Sequence, residues 1–436
     1  MRALRFFFDR NLAYIIIALL VAITALILFV GLQGIRVRRV AFDTTTATRF
    51  IDQTMVVSFN QILPHIQSSD VSISPRTDMS VQSVRGSVLR VRFNRALHYD
   101  TAYTLSVNIN GQSVEHHFRT PPLRTLHLAK SGTGDALLAS TPTQPREKAK
   151  LVFSASDIVQ YAIAGNDVFV NAYGDDLAST LTKISLTSGA RQTIKLPFRG
   201  AISQLRASPD GSMIGFGLMP RSDKGVNGLF LYNVGAGTMR EVTNKGAHID
   251  VYSWRFASDN RTLLVKDTDA HVSVVDSRDI RPAKYLGEYG NVYGIAADQK
   301  TALLGALGIT QGFSVQFADG AKRAYPAKPL AANELLSGIY PFRNSDASLL
   351  YVQQLVGDTD SEDRLFYNQG TTRKQIYQSD KTMAINAVSI SPDDQYAAIE
   401  LNDVSDADES TNTQTVLLNI ATGETLAVVS GSQLTW

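Results

Sequence analysis

Two short runs of carboxylates come closest, in residue type and spacing, to a site that could do chemistry. Asp358, Asp360 and Glu362 alternate along one stretch, and Asp403, Asp406 and Asp408 crowd another. Closely spaced carboxylates on a loop are how a chain wraps calcium, because that ion takes six to eight hard oxygen ligands. Neither run has the twelve-residue EF-hand spacing with its central glycine. Calcium is thus the one ion these residues would suit, and no other cofactor is expected. The chain has no cysteine, which removes thiolate zinc sites, disulfides and cysteine nucleophiles together. A Gly-x-Ser-x-Gly elbow, a His-Glu-x-x-His pair, a P-loop and a dinucleotide fingerprint are all missing. Catalysis would have to come from paired carboxylates assembled by the fold, as in a glycan hydrolase or lyase, and an enzyme is the less favoured expectation.

Four stretches of chain must position whatever these residues do. The 436 residues carry 42 Lys and Arg against 40 Asp and Glu, a length that suggests roughly three units. The near-neutral balance hides an asymmetry. Residues 1–122 hold 13 basic residues, every one an arginine, and 7 acidic ones, which leaves the remainder slightly acidic. With no basic run in that remainder, nucleic acid is not an expected partner.

Residues 12–32 contain no charge. At about 1.5 Å per residue, a helix there is roughly 31 Å long, the thickness of a bilayer's hydrocarbon core. It is too long for the apolar stretch of a cleaved signal peptide, so an uncleaved anchor is expected. Arginines flank both ends, Arg2, Arg5 and Arg10 against Arg36, Arg38 and Arg39, and charge alone does not orient it. The short tail 1–11 would stay in the cytoplasm and direct the rest outside.

From residue 39 to 122 the pattern becomes short alternating runs, such as Met55 to Phe59, Val88 to Phe93 and Tyr103 to Val107. Period-two alternation between turn residues means half-buried strands, and several such strands suggest a β-sandwich. Val57-Ser-Phe-Asn-Gln61, Val71-Ser-Ile-Ser-Pro75, Leu97 to Tyr103 and Phe118-Arg-Thr120 together resemble a bacterial Ig-like domain of the S-layer-protein type. The resemblance implies a tyrosine corner at Tyr103, where a buried hydroxyl fixes a crossover between sheets. The family usually has Pro-Gly where this chain has Tyr99-Asp100. Adjacent His116 and His117 must point to opposite faces of a strand and cannot share a metal.

From 123 to 436 one form recurs: an alternating run, a turn centred on Asp, and a second run. Asn166, Asp210, Asp259, Asp298, Asp346 and Asp393 align at intervals of 44, 49, 39, 48 and 47 residues. A repeat of about 45 residues is that of a four-stranded propeller blade. Six units fill about 156–429, and 125–154 paired with the tail 433–436 would make a seventh, so seven blades are favoured over six. The turns, typified by Ser208-Pro-Asp-Gly211, resemble the TolB type of propeller repeat, a relative of WD40. In such a turn Asp caps the backbone and Gly takes the left-handed conformation, which makes these aspartates structural.

The loops between second and third strands should share one face. They hold 13 acidic and two basic residues, including Asp175, Asp176, Asp223, Asp267, Asp269, Asp363 and Glu409, and such a surface attracts basic partners. The expected fold is therefore all-β apart from one transmembrane helix, with an Ig-like sandwich and then a propeller. The expected role is a single-pass, membrane-anchored binding scaffold outside the cytoplasm, engaging a protein or a cell-envelope polymer. A propeller enzyme acting on glycans or peptides and a purely structural envelope component are the alternatives. Facing carboxylates with an aromatic in the central funnel would favour the enzyme.

Overall fold

The computed structural model describes residues 12–25, 34–131, 134–142, 144, 147–174, 176–220, 227–307, 311–354, 362–403 and 413–436. Residues 12–25 are helical, and their apolar side chains are exposed. The Thr24 hydroxyl donates back to the Leu20 carbonyl at 2.8 Å, which satisfies it within the helix. No helix among the described residues is long and apolar enough to cross a membrane; residues 26–32 of the expected span lie outside them.

The chain divides into two compact units, and the division does not fall at 122. Unit one comprises 1–42, 54–92 and 103–118, and unit two comprises 43–53, 93–102 and 119–436. In unit one, strands Val37–Ala41, Gln53–Phe59, Val88–Phe93 and Met79–Arg85 form a four-stranded sheet in that order. Val71–Ser74, Ala102–Ile109 and Gln112–Arg119 form a three-stranded one. Each has one apolar face: Met55, Val57, Leu89 and Val91 are buried on the first, and Val71, Tyr103, Leu105 and Val107 on the second. Phe118 meets Phe42 edge-on at 5.3 Å and stacks on Tyr103 at 5.4 Å. Tyr103 is thus a buried part of this apolar layer.

In unit two the described strands form seven four-stranded antiparallel sheets. Sheet A runs Ile158–Ala164, Asp167–Tyr173, Ser179–Ser185, Arg191–Ile194; sheet B, Gly200–Ala207, Met213–Pro220, Gly228–Asn233, Thr238–Glu241. Sheet C runs Ser253–Phe256, Thr262–Lys266, His271–Asp276, Lys284–Glu288; sheet D, Asn291–Ile295, Thr301–Gly305, Gly312–Gln316, Lys322–Tyr325. Sheet E runs Glu334–Pro341, Ser348–Gln354, Glu362–Gln369, Thr372–Gln378; sheet F, Met383–Ile390, Tyr396–Asp403, Gln414–Asn419, Thr425–Ser430.

Sheet G joins the two ends of the unit. Ser432–Thr435 is its first strand, followed by Thr125–Ser131, Gly134–Ser140 and Lys150–Ala155, with Ser432 opposite Leu128 and Thr435 opposite Leu126. First strands of successive sheets touch one another around the whole ring, from A through F to G and back to A. This is the arrangement of a β-propeller, with first strands innermost. The second and third strands carry apolar residues on both faces, as in Phe216, Leu218, Leu229 and Leu231, because both faces of each sheet pack against neighbouring sheets.

Candidate functional site

The recurring Asp turns connect first to second strands, and their carboxylates are spent on the turn itself. Asp259 Oδ1 accepts from Arg261 N at 2.9 Å and Thr262 N at 2.7 Å, and Asp298 Oδ1 from Lys300 N at 2.8 Å and Thr301 N at 3.0 Å. Asp210 and Asp393 do the same while also accepting from Ser208 and Ser391 hydroxyls. The following residue is left-handed in all four turns: Gly211, Asn260, Gln299 and Asp394. Only the first is a glycine, and Asn and Asp tolerate this region through their short polar side chains.

This turn face is occupied by the chain's own segments 43–53 and 93–102. Ile51 N donates to Pro209 O at 3.2 Å, Phe50 packs so closely on Gly211 that a Cβ there would meet its ring at 2.8 Å, and Asn166 Nδ2 donates to Asp43 at 3.1 Å. His98 pairs with Asp393 at 3.3 Å, and the Tyr99 ring lies 6.4 Å from that of Tyr396. Asp100, at φ +49, takes the left-handed turn position where a glycine was expected from the family pattern. Burial pushes the Tyr99 hydroxyl up strongly, with Asp393 adding to the effect.

In an antiparallel meander the second-to-third loops lie at the opposite end, together with the connectors between sheets. Of the acidic residues expected to project there, Asp176 is ion-paired with Arg199, and Asp267 accepts from His271 N at 2.8 Å and faces its Nδ1 at 3.1 Å. Asp269 is exposed. Asp363 departs from the expectation: it is 2% exposed, accepting from the Tyr351 hydroxyl at 2.9 Å and from Ile385 N in the next sheet at 2.6 Å. Glu362 accepts from Gln378 Nε2 at 2.7 Å, and Asp403 pairs opposite Met383 in sheet F. Among the described residues no group of three or more acids or histidines is arranged to hold a metal. Asp175, Asp223, Asp358, Asp360, Asp406, Asp408 and Glu409 lie outside them.

The same face carries a feature the sequence pattern did not single out. Leu177, Phe198, Met219, Tyr252 and Leu307 stand 36–61% exposed, all on second-to-third loops, adjoining strand ends or inter-sheet connectors of sheets A to D. On the turn face Ile280 is exposed, and Leu151, Tyr285 and Leu426 are exposed at the adjoining starts of fourth strands, each on a different sheet or the outer edge. Exposed apolar side chains scattered singly mean little, but several gathered on one face mark an interaction surface.

At the axis, first strands are linked by glutamines. Gln160 of sheet A accepts from Leu205 N at 2.9 Å and donates to Ile202 O at 3.3 Å in sheet B; Gln204 of sheet B accepts from Trp254 N at 3.2 Å and donates to Tyr252 O at 3.0 Å. Gln433 donates to Val159 O at 2.8 Å. Glutamine suits this because its amide presents both an acceptor and donors. Arg206, Arg255, Tyr293 and Tyr340 stand on first strands, where burial lowers both arginines and raises both tyrosines. Glu400 is already engaged by Asn386 Nδ2 and Gln433 N, both at 2.6 Å. A facing carboxylate pair is not among the described axial residues.

Between the outer parts of sheets B and C lies a cavity of about 410 Å³ lined by Met213, Leu231, Asn233, Arg240, Ser277 and Arg278. Burial lowers the Arg240 guanidinium, and neighbouring Arg278 lowers it further. The adjoining cavity, about 580 Å³, contains Arg261 and Asp276, a bidentate pair that holds the aspartate below its usual range.

No family model and no curated protein sequence matches this chain. Among solved structures, one from a study of two prolyl endopeptidases is 12% identical with a TM-score of 0.51, covering 78% of this chain and 49% of that one. TolB from Acinetobacter baumannii is 12% identical at a TM-score of 0.40, covering 85% of this chain and 84% of its own. The β-propeller domain of the Trilobed protease from Pyrococcus furiosus is 14% identical at 0.47, covering 63% and 85%. At such identities the likeness is one of fold, and the fold is that of a β-propeller.

Proposed function

We propose that this chain is a membrane-anchored binding scaffold whose seven-bladed, TolB-like propeller engages a protein partner outside the cytoplasm through its loop face. Residues 12–32 span the bilayer with the N-terminus inside, and the four- and three-stranded sheets of unit one form an Ig-like spacer. The observation that carries the reading is the contrast between the two propeller faces. The turn face carries segments 43–53 and 93–102 on sheets A, B and F, whereas the loop face presents Leu177, Phe198, Met219, Tyr252 and Leu307 to solvent. Interfaces combine such apolar anchors with a charged rim. Apart from the buried Asp363, the second-to-third stretches hold 12 acidic residues against two basic ones, and such a rim favours a partner with apolar side chains within a basic surface.

Photoreactive residues placed at Phe198 and Tyr252 in living cells should crosslink one reproducible protein. Capture should weaken with Met219→Glu and with added salt. An equal yield from a probe at Ile280 on the turn face, or insensitivity to both perturbations, would remove the loop face as the docking surface. Protease accessibility of unit two in intact cells tests the topology separately.

A further inference from the structure

Two arginines at the propeller axis are short of counter-charge. Arg206 lies on the first strand of sheet B and Arg255 on that of sheet C. The Gln204 clasp binds these strands together through Trp254 N and Tyr252 O, and it sets the two guanidiniums near each other. Arg255 is within electrostatic reach of the Tyr340 hydroxyl of sheet E, and Tyr340 of Tyr293 in sheet D. Sheets C and E are not neighbours in the ring, so their side chains can approach only at the axis.

Both arginines are half-buried, so part of each guanidinium stays open to the axial space. Arg206 falls well below its ordinary value through burial and then through the like charge of Arg255; Arg255 is lowered to about 10, which leaves it charged at neutral pH. Arg255 Nη1 donates to Trp254 O at 3.2 Å, and Arg206 Nε is buried without a hydrogen-bond partner. No carboxylate among the described residues pairs with either. Two half-buried cations held side by side without a carboxylate favour an anion that pairs with both.

We propose that Arg206 and Arg255 form an axial binding site for a small oxyanion, flanked by the hydroxyls of Tyr293 and Tyr340. Guanidinium forks match the oxygens of phosphate or carboxylate groups. Burial keeps both phenols protonated.

The test uses the full chain purified in detergent, with inorganic phosphate as probe and chloride at matched ionic strength as control. Phosphate at about a hundred times its Kd should raise the unfolding midpoint by roughly 3 °C, and chloride should not. Arg206→Met and Arg255→Met should each abolish the phosphate shift while raising the phosphate-free midpoint, since each removes an uncompensated charge. Arg278→Gln, in the outer cavity, should leave the shift intact. Phosphate no more effective than chloride, a full shift retained in both methionine variants, or loss of the shift in Arg278→Gln would each overturn the proposal.

Discussion

Aspartates of one chemical type do different work here according to where their hydrogen-bond partners lie. Asp210, Asp259, Asp298 and Asp393 bond to backbone two or three residues on, a relationship that the sequence spacing exposes directly. Asp363 bonds to Tyr351 and to Ile385, 12 and 22 residues away, so its role depends on how two sheets pack, and its run of acidic neighbours made it look like a surface residue. Asp363→Ala should cost about 2–4 kcal/mol in denaturant unfolding, because it leaves a buried hydroxyl and a buried N–H unpaired. Asp269→Ala, at an exposed site, should stay within about 0.5 kcal/mol. His127 adds a pH dependence: it is 3% exposed, its Nδ1 has no partner, and burial lowers its pKa from 6.5. The unfolded chain therefore takes up that proton first, so stability is full above about pH 6.5 and declines below it. His127→Gln should flatten this decline in melting curves recorded across that range, and an unchanged slope would assign the acid sensitivity elsewhere.

At the scale of strands, the repeat and the pairing of the tail with 125–154 were legible because period-two runs and Asp turns recur every 45 residues or so. What holds one sheet to the next was not legible. Gln160, Gln204 and Gln433 sit at register irregularities of the first strands, two of them left-handed, with φ of +49 at Gln204 and +52 at Gln433. A bulge turns such a side chain toward the neighbouring strand, and a glutamine in an irregular strand carries no sequence signal of that use. Gln204→Ala should cost about 1–2 kcal/mol, with two backbone groups of the next first strand left unpaired. Gly431 is a stricter requirement: φ is +131, and a Cβ would overlap the Leu128 carbonyl. Gly431→Ala should destabilise by about 3 kcal/mol or more and expose the ring to limited proteolysis.

For the whole molecule, length and composition suggest three units where the chain divides into two compact ones, and the boundary between these is not at 122. Segments 43–53 and 93–102 fall inside the stretch of alternating strands, yet they belong with the propeller, since Phe50, Tyr99 and Ile51 find their partners there. Burying a few long-range side chains overrides a boundary drawn from local pattern. Tyr161, fully enclosed, sits between the carbonyls of Leu126 and Gln433 and so ties sheet A to both strands of the closure. Removing residues 432–436 should deprive Tyr161 of a partner, expose the apolar edge at Leu126 and Leu128, and convert one cooperative unfolding transition into a broad one; a sharp transition near the parent midpoint would show that closure is dispensable.

Closure by Ser432–Thr435 also sets an order of events during synthesis. A polypeptide made amino end first delivers 125–155 some three hundred residues before the strand that completes their sheet. The incomplete ring must then wait outside the ribosome with its innermost position vacant, and any product interrupted upstream remains an open, protease-sensitive chain. The ring can therefore close only after residue 435 has been made, and maturation should be timed by its arrival rather than by the folding rate of any single sheet.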